Sequence, residues 1–120
     1  MNYNNTPIDW SKVNDIVLSA KKILLTTHEN PDGDGLGSEV ALYHHLLDIG
    51  KDVKIINCSP TPAMYDFINK SNCIETYDEN THSEWINNAD LAIVFDVGDF
   101  KRTRSIKSAI EKNSIPVMNI

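Results

Sequence analysis

Apolar positions along this chain fall into two alternating kinds of segment. Ile23-Leu24-Leu25, Val53 with Ile55-Ile56, and Leu91-Ala92-Ile93-Val94-Phe95 are short, dense apolar runs, the pattern of strands buried on both faces. They predict strands over 22–27, 52–57 and 91–95, with a last one over 116–120. Between them apolar residues recur at helical spacing. Trp10, Val13, Ile16, Val17 and Ala20 mark a first helix. Its start is read with Thr6 as cap and Pro7 in the first helical position, and Lys21-Lys22 closes it. Leu36, Val40, Tyr43, Leu46 and Leu47 mark a second helix over 35–49, with Gly50 as its stop. Pro60-Thr61-Pro62 reads as a turn, followed by a short helix over 63–69, a short helix or turn over 81–87 and a longer helix over 103–113. Strands alternating with helices predict an α/β fold with a mainly parallel sheet.

A length of 120 residues bounds this to one domain. The net charge of −6 and a pI near 5.0 come with no basic run that would track a nucleic-acid backbone. A phosphate substrate is still compatible, because bound cations reverse the local field. Cys58 and Cys73 lack CxxC spacing and read as reduced residues of a cytosolic protein. No apolar run approaches the ~20 residues of a membrane span. The start, Met1-Asn2-Tyr3-Asn4-Asn5, lacks a signal peptide's basic and apolar stretches. The expectation is a soluble cytoplasmic protein with no membrane partner.

Chemistry concentrates in His28-Glu29-Asn30-Pro31-Asp32-Gly33-Asp34-Gly35-Leu36-Gly37-Ser38, directly after the first strand. Ligands in open α/β sheets bind beyond the carboxyl ends of strands, and Asp96 follows the strand ending at Phe95. If the two strands are near neighbours, His28, Asp32, Asp34 and Asp96 converge. One imidazole with carboxylates suits Mn²⁺ or Mg²⁺ better than structural zinc. A bridging carboxylate would hold two such ions ~4 Å apart, the arrangement of two-metal phosphoryl hydrolysis. Taken singly, each residue has a plainer reading: Asp32-Gly33-Asp34 as a turn, His28 as a surface or core histidine, Asp96 as a cap. The conjunction at strand ends favours metal, since two acids one residue apart repel without a cation. Gly37 and Ser38 open the following helix, with free N–H groups for a phosphate oxygen; alternatively Gly37 permits close packing and Ser38 caps. Arg102 is a candidate for a substrate phosphate and Asp99 for a place beside the metals; both also fit a solvated charged loop. The glycines lack the GxGxxG dinucleotide spacing. His44-His45 reads as a helix face, and His82, Tyr65, Tyr77 and Trp85 as packing or loop residues.

His28-x-x-Pro31-Asp32-x-Asp34-x-x-Gly37-Ser38 resembles the first motif of the DHH phosphoesterase superfamily, and Phe95-Asp96-Val97-Gly98-Asp99-Phe100-Lys101-Arg102 resembles its second. Thr27 to Asp34 and Leu42-Tyr43-His44-His45-Leu46 are most similar to the branch of bifunctional oligoribonucleases and phosphoadenosine-phosphate phosphatases. Family II inorganic pyrophosphatases are similar but usually carry Thr where Gly33 stands. The resemblance implies a Rossmann-like three-layer domain and a centre of two Mn²⁺ ions, with Mg²⁺ as the alternative. His28 and Asp32 would hold one ion, Asp34 the other, and Asp96 would bridge, with Asp34 and Asp96 also counted as catalytic. The implied activity is hydrolysis, by two-metal activation of water, of short single-stranded oligonucleotides or of small nucleotides such as 3'-phosphoadenosine 5'-phosphate. The family's Asp-His-His motif normally follows a strand resembling Ile115 to Ile120, and the chain ends there. The expectation is therefore the N-terminal part of such a catalytic domain, without the C-terminal substrate-binding domain and inactive as a fragment. Its alternatives are a non-catalytic nucleotide-binding or regulatory module and a pyrophosphatase-like enzyme. A homodimer of the full-length protein is compatible with this reading.

Overall fold

The computed structural model describes residues 7–120. Helix α1 spans Trp10–Ser19, strand β1 Lys22–Thr26, helix α2 Gly33–Asp48 and strand β2 Asp52–Asn57. They are followed by β3 at Ile74–Thr76, α3 at Glu79–Asn87, β4 at Leu91–Val94, α4 at Ser105–Lys112 and β5 at Val117–Asn119. The five strands form one sheet in the order β3-β2-β1-β4-β5, and every pairing is parallel. Such strands need cover on both faces, and two apolar clusters supply it. Ile23 and Leu25 of β1 pack with Leu36 and Leu46 of α2 on one face. Leu24, pointing the other way, packs with Ile86 of α3 and with Ile106 and Ile110 of α4. The result is a three-layer, Rossmann-like α/β domain, as the resemblance implied.

Local chemistry moves several boundaries. Thr6 lies outside the described residues; Asp9 caps α1, its Oδ1 accepting from the Lys12 N–H at 3.1 Å. The predicted apolar stripe of α1 is not buried: Trp10 and Ile16 are exposed, and only Val17 and Ala20 reach the core. The predicted helix over 63–69 is one 3₁₀ turn at Ala63–Tyr65, because Met64 and Phe67 find nothing to bury against and stay exposed. Helix α3 starts at Glu79 rather than Thr81, since Asp78 caps it through the Thr81 N–H. The helix predicted over 103–113 starts at Ser105, because Arg104, at φ 50°, separates α4 from a 3₁₀ turn at Phe100–Thr103. Strand β3, absent from the reading of the sequence, has a single buried residue, Ile74, and too little apolar pattern to be seen. Both cysteines are free, as expected.

Helix α2 begins two residues before its predicted start, and this changes the meaning of its glycines. Gly35 sits against β1: a Cβ there would collide with Thr27 Oγ1 and come within 3.1 Å of Thr27 Cβ. Gly37 has open space instead. The close-packing glycine is therefore Gly35, not Gly37. Gly35→Ala should destabilise the chain by roughly 1–3 kcal/mol through overpacking. Gly37→Ala should leave stability unchanged or raise it by up to ~1 kcal/mol, since it removes a helix-interior glycine. Denaturant melts of the two variants check this, and equal destabilisation by both would contradict it.

Candidate metal centre at the switch point of the sheet

The chain runs outward from β1 through β2 to β3, then returns to the other side of β1 as β4. That reversal opens a crevice at the carboxyl ends of β1 and β4. Parallel register sets what faces it. Thr26 pairs with Val94, so His28 and Asp96, two residues beyond each, arrive at the same level. His28 Nε2 lies 3.5 Å from Asp96 Oδ2 and 3.8 Å from Asp32 Oδ2. One ligand atom from each of these three residues falls within 4.8 Å of the others. His28 is only 5% exposed, while the two carboxylates reach solvent.

Backbone contacts hold each member. Asp32 is the N-cap of α2: its Oδ1 accepts from the N–H groups of Asp34 (3.2 Å) and Gly35 (3.4 Å). Oδ2 is left for the crevice. The turn reading and the ligand reading of Asp32 thus hold together, one oxygen for each. Asp96 takes a left-handed backbone, φ 56°, tolerated by short polar residues. Its N–H donates to the Ile120 carbonyl at 3.1 Å, and Asn119 Nδ2 donates to the next carbonyl, that of Val97. His28 Nδ1 is 2.6 Å from the Glu29 carbonyl oxygen. A proton on Nδ1 satisfies that oxygen and leaves the Nε2 lone pair facing the two carboxylates, the tautomer a metal ligand requires. A hard donor set of two carboxylates and one imidazole, in which the two carboxylates repel each other, fits a divalent cation.

The other predicted residues divide. Asp34 stands exposed in the first turn of α2, outside the three-residue cluster. Gly37 and Ser38 lie in the second turn, beyond the N–H groups a helix start leaves free; the expectation of free N–H groups there is corrected. Arg102 lies beside His28, its Nη2 3.3 Å from Nδ1, the ring nitrogen that does not face the two carboxylates. Asp99 caps the 3₁₀ turn through the Lys101 N–H, the plainer of its two readings. His44 and His45 are both exposed, and His82 is buried between Glu75 and the Asp78 N–H, a packing role.

Beneath the crevice lies a polar network that the sequence reading missed. Asn57 Oδ1 accepts from the Thr27 N–H at 3.0 Å and from Thr26 Oγ1 at 3.3 Å, while Asn57 Nδ2 donates to Glu39 Oε2 at 3.0 Å. Glu39 is fully buried, and among the described residues its Oε1 has no partner. Burial pushes its carboxyl up from 4.5 to about 8, against the smaller, opposite effect of the Asn57 hydrogen bond. A signal did exist: Glu39 falls on the apolar stripe Leu36–Tyr43–Leu46, where a carboxylate has no solvent.

Comparisons with known proteins agree with this geometry. Residues 22–120 match the DHH family, N-terminal domain, and the chain belongs to that family. It is also similar to an exopolyphosphatase-related protein from Bacteroides fragilis whose crystal structure is known, with a TM-score of 0.82 and 26% sequence identity. The alignment covers 92% of this chain but 33% of that protein, so the chain spans about a third of its relative's length. No curated protein matches the chain. Among the described residues no helix is long and apolar enough to cross a membrane.

Burial of the Glu39 carboxyl makes the stability of the fold depend on pH. Between 4.5 and about 8 the folded chain holds a proton that the unfolded chain releases, so this group's contribution is full below that window and lost as pH rises through it. Glu39→Gln keeps the shape and removes the titration. The melting temperature of the variant relative to the native chain should therefore climb from pH 4.5 to 8.5. A constant difference over that range would show that Glu39 does not titrate this way.

Proposed function

We propose that the protein carrying this chain is a divalent-metal-dependent phosphoesterase and that His28, Asp32 and Asp96 hold metal in it. The observation that carries the reading is the convergence of those three side chains within 4.8 Å at the ends of adjacent strands. Mn²⁺ is the proposed ion, with Mg²⁺ as the alternative. Asp96 would bridge to a second ion held by Asp34, which stands exposed in the first turn of α2, two residues after Asp32. Divalent cations bound there would offset phosphate charge and acidify an attacking water. Arg102, whose Nη2 lies 3.3 Å from His28 Nδ1, is proposed to take a substrate phosphate oxygen. Ser38 has its exposed hydroxyl to offer, not its N–H, and Gly37 leaves space beside it.

For substrate we propose short single-stranded oligonucleotides or 3'-phosphoadenosine 5'-phosphate, on the strength of the His28–Ser38 motif. A second reading, condensed inorganic phosphate, is favoured by the exopolyphosphatase-related name of the structural relative. Mononucleotide release from a dinucleotide, and phosphate release from phosphoadenosine phosphate, pyrophosphate and polyphosphate, assayed with the complete gene product, separate the two. A cytoplasmic location is part of the same proposal.

The metal assignment has its own test. A ligand that binds only the folded chain stabilises it by about 2.7 kcal/mol at a hundredfold excess over Kd. Mn²⁺ should therefore raise the melting temperature of the native chain, and a chelator should reverse the rise. Asp96→Asn and His28→Ala should show little or no rise. An equal rise in all three would place the bound ion elsewhere.

A further inference from the structure

The loops after β1 and β4 are joined a second time, outside the metal centre. Glu29 follows His28, and its N–H donates to the Arg102 carbonyl at 2.8 Å. Its carboxylate receives a two-pronged bond from Arg104: Nε to Oε2 at 2.6 Å and Nη2 to Oε1 at 2.9 Å. One residue of the first loop is thus held at its backbone and its side chain by two residues of the second. Arg104 is held in turn at φ 50°, ψ −119°, a region that favours glycine and that other residues occupy only where their surroundings over-determine it. That residue also divides the 3₁₀ turn from α4, so the fork ties the start of α4 to the neighbour of His28.

We propose that Glu29 and Arg104 form a clamp that sets the spacing between the two ligand-bearing loops, and hence between His28 and Asp96. They are positioning residues: neither is among the three clustered ligands. The metal half of this inference rests on the functional reading above; the loop-spacing half does not. With the Arg104 side chain 63% and the Glu29 side chain 26% exposed, the pair adds little to global stability. Its effect is local, as with contacts that orient metal ligands from outside the coordination shell. The fork geometry matters as much as the charge, because a lysine offers no matching pair of donors.

Two readouts on the 120-residue chain test this: hydrogen exchange of the residue-29 amide by NMR, and calorimetric titration with Mn²⁺. In Glu29→Gln, Arg104→Ala and Arg104→Lys, the residue-29 amide should exchange at least ~10-fold faster, with the Leu25 and Ile93 amides unchanged. The Mn²⁺ Kd should rise ~10-fold in all three. Unchanged residue-29 exchange in these variants would overturn the clamp, whatever the metal affinity. Faster exchange with unaltered Mn²⁺ affinity would overturn its role in the metal centre. Faster exchange in variants of a native chain that binds no Mn²⁺ would support the clamp and sink the metal reading instead. Native exchange and affinity in Arg104→Lys alone would overturn the need for the fork.

Discussion

The pairing of β1 with β4 is the constraint from which the rest of this molecule follows. Every backbone group in that interface is committed to the parallel ladder, so a slip by one residue would turn each buried apolar side chain toward the wrong layer. Ile23 and Leu25 would leave the cluster with α2, and Leu24 would leave the cluster with α3 and α4. The cost of that slip fixes the register, and the register fixes the level at which both strands end. His28 and Asp96 meet because Leu25 and Ile93 cannot do otherwise. A candidate metal centre of this kind is an outgrowth of core packing: its side chains sit three residues beyond Leu25 and Ile93, the last apolar pair of the ladder.

A polar floor translates that packing into a stiff site. The Asn57 side chain, at the end of β2, binds the N–H of Thr27, and Thr27 Oγ1 donates to the Phe95 carbonyl at 2.8 Å. The residues just before His28 and Asp96 are thereby cross-linked by hydrogen bonds rather than left to loop entropy. Gly35 lets α2 approach this floor closely enough for Asp32 to cap the helix and still offer an oxygen to the crevice. Glu39 is the costly member, because a carboxyl buried with one free oxygen is stable chiefly as the neutral acid. Its place in the network makes the stability of the floor, and so of the ground beneath His28, sensitive to pH.

The connection carrying Asp96 shows how such a loop is held when it has no regular structure. Its near end is bonded to the last residue of the chain, since the Asp96 N–H and the Ile120 N–H exchange contacts with Ile120 and Val94 carbonyls. Its far end is bonded to Glu29. Two residues in left-handed conformations, Asp96 and Arg104, mark these two anchor points. Strained backbone is found where contacts from outside the loop hold it in place.

Much of this was legible in the residues. The apolar runs at Ile23–Leu25, Val53–Ile56 and Leu91–Phe95 announced the central strands, because a strand buried on both faces leaves no polar alternation to confuse it. The His28–Ser38 segment marked the candidate metal centre, because closely spaced acids need a reason to coexist. Other features became visible only in three dimensions. Asp34 fell outside the cluster and Gly35, not Gly37, became the packing glycine once the Asp32 cap drew the helix start back to Gly33. The stripe of α1 stayed exposed because periodicity shows which residues share a face, not whether anything covers it. Glu29, Arg104, Glu39 and Asn57 gained their roles from partners 75 and 18 positions away in the chain. Sequence determined the elements and the ligand types, which depend on near neighbours; tertiary structure alone decided which distant groups share a crevice, because that is set by strand order and register.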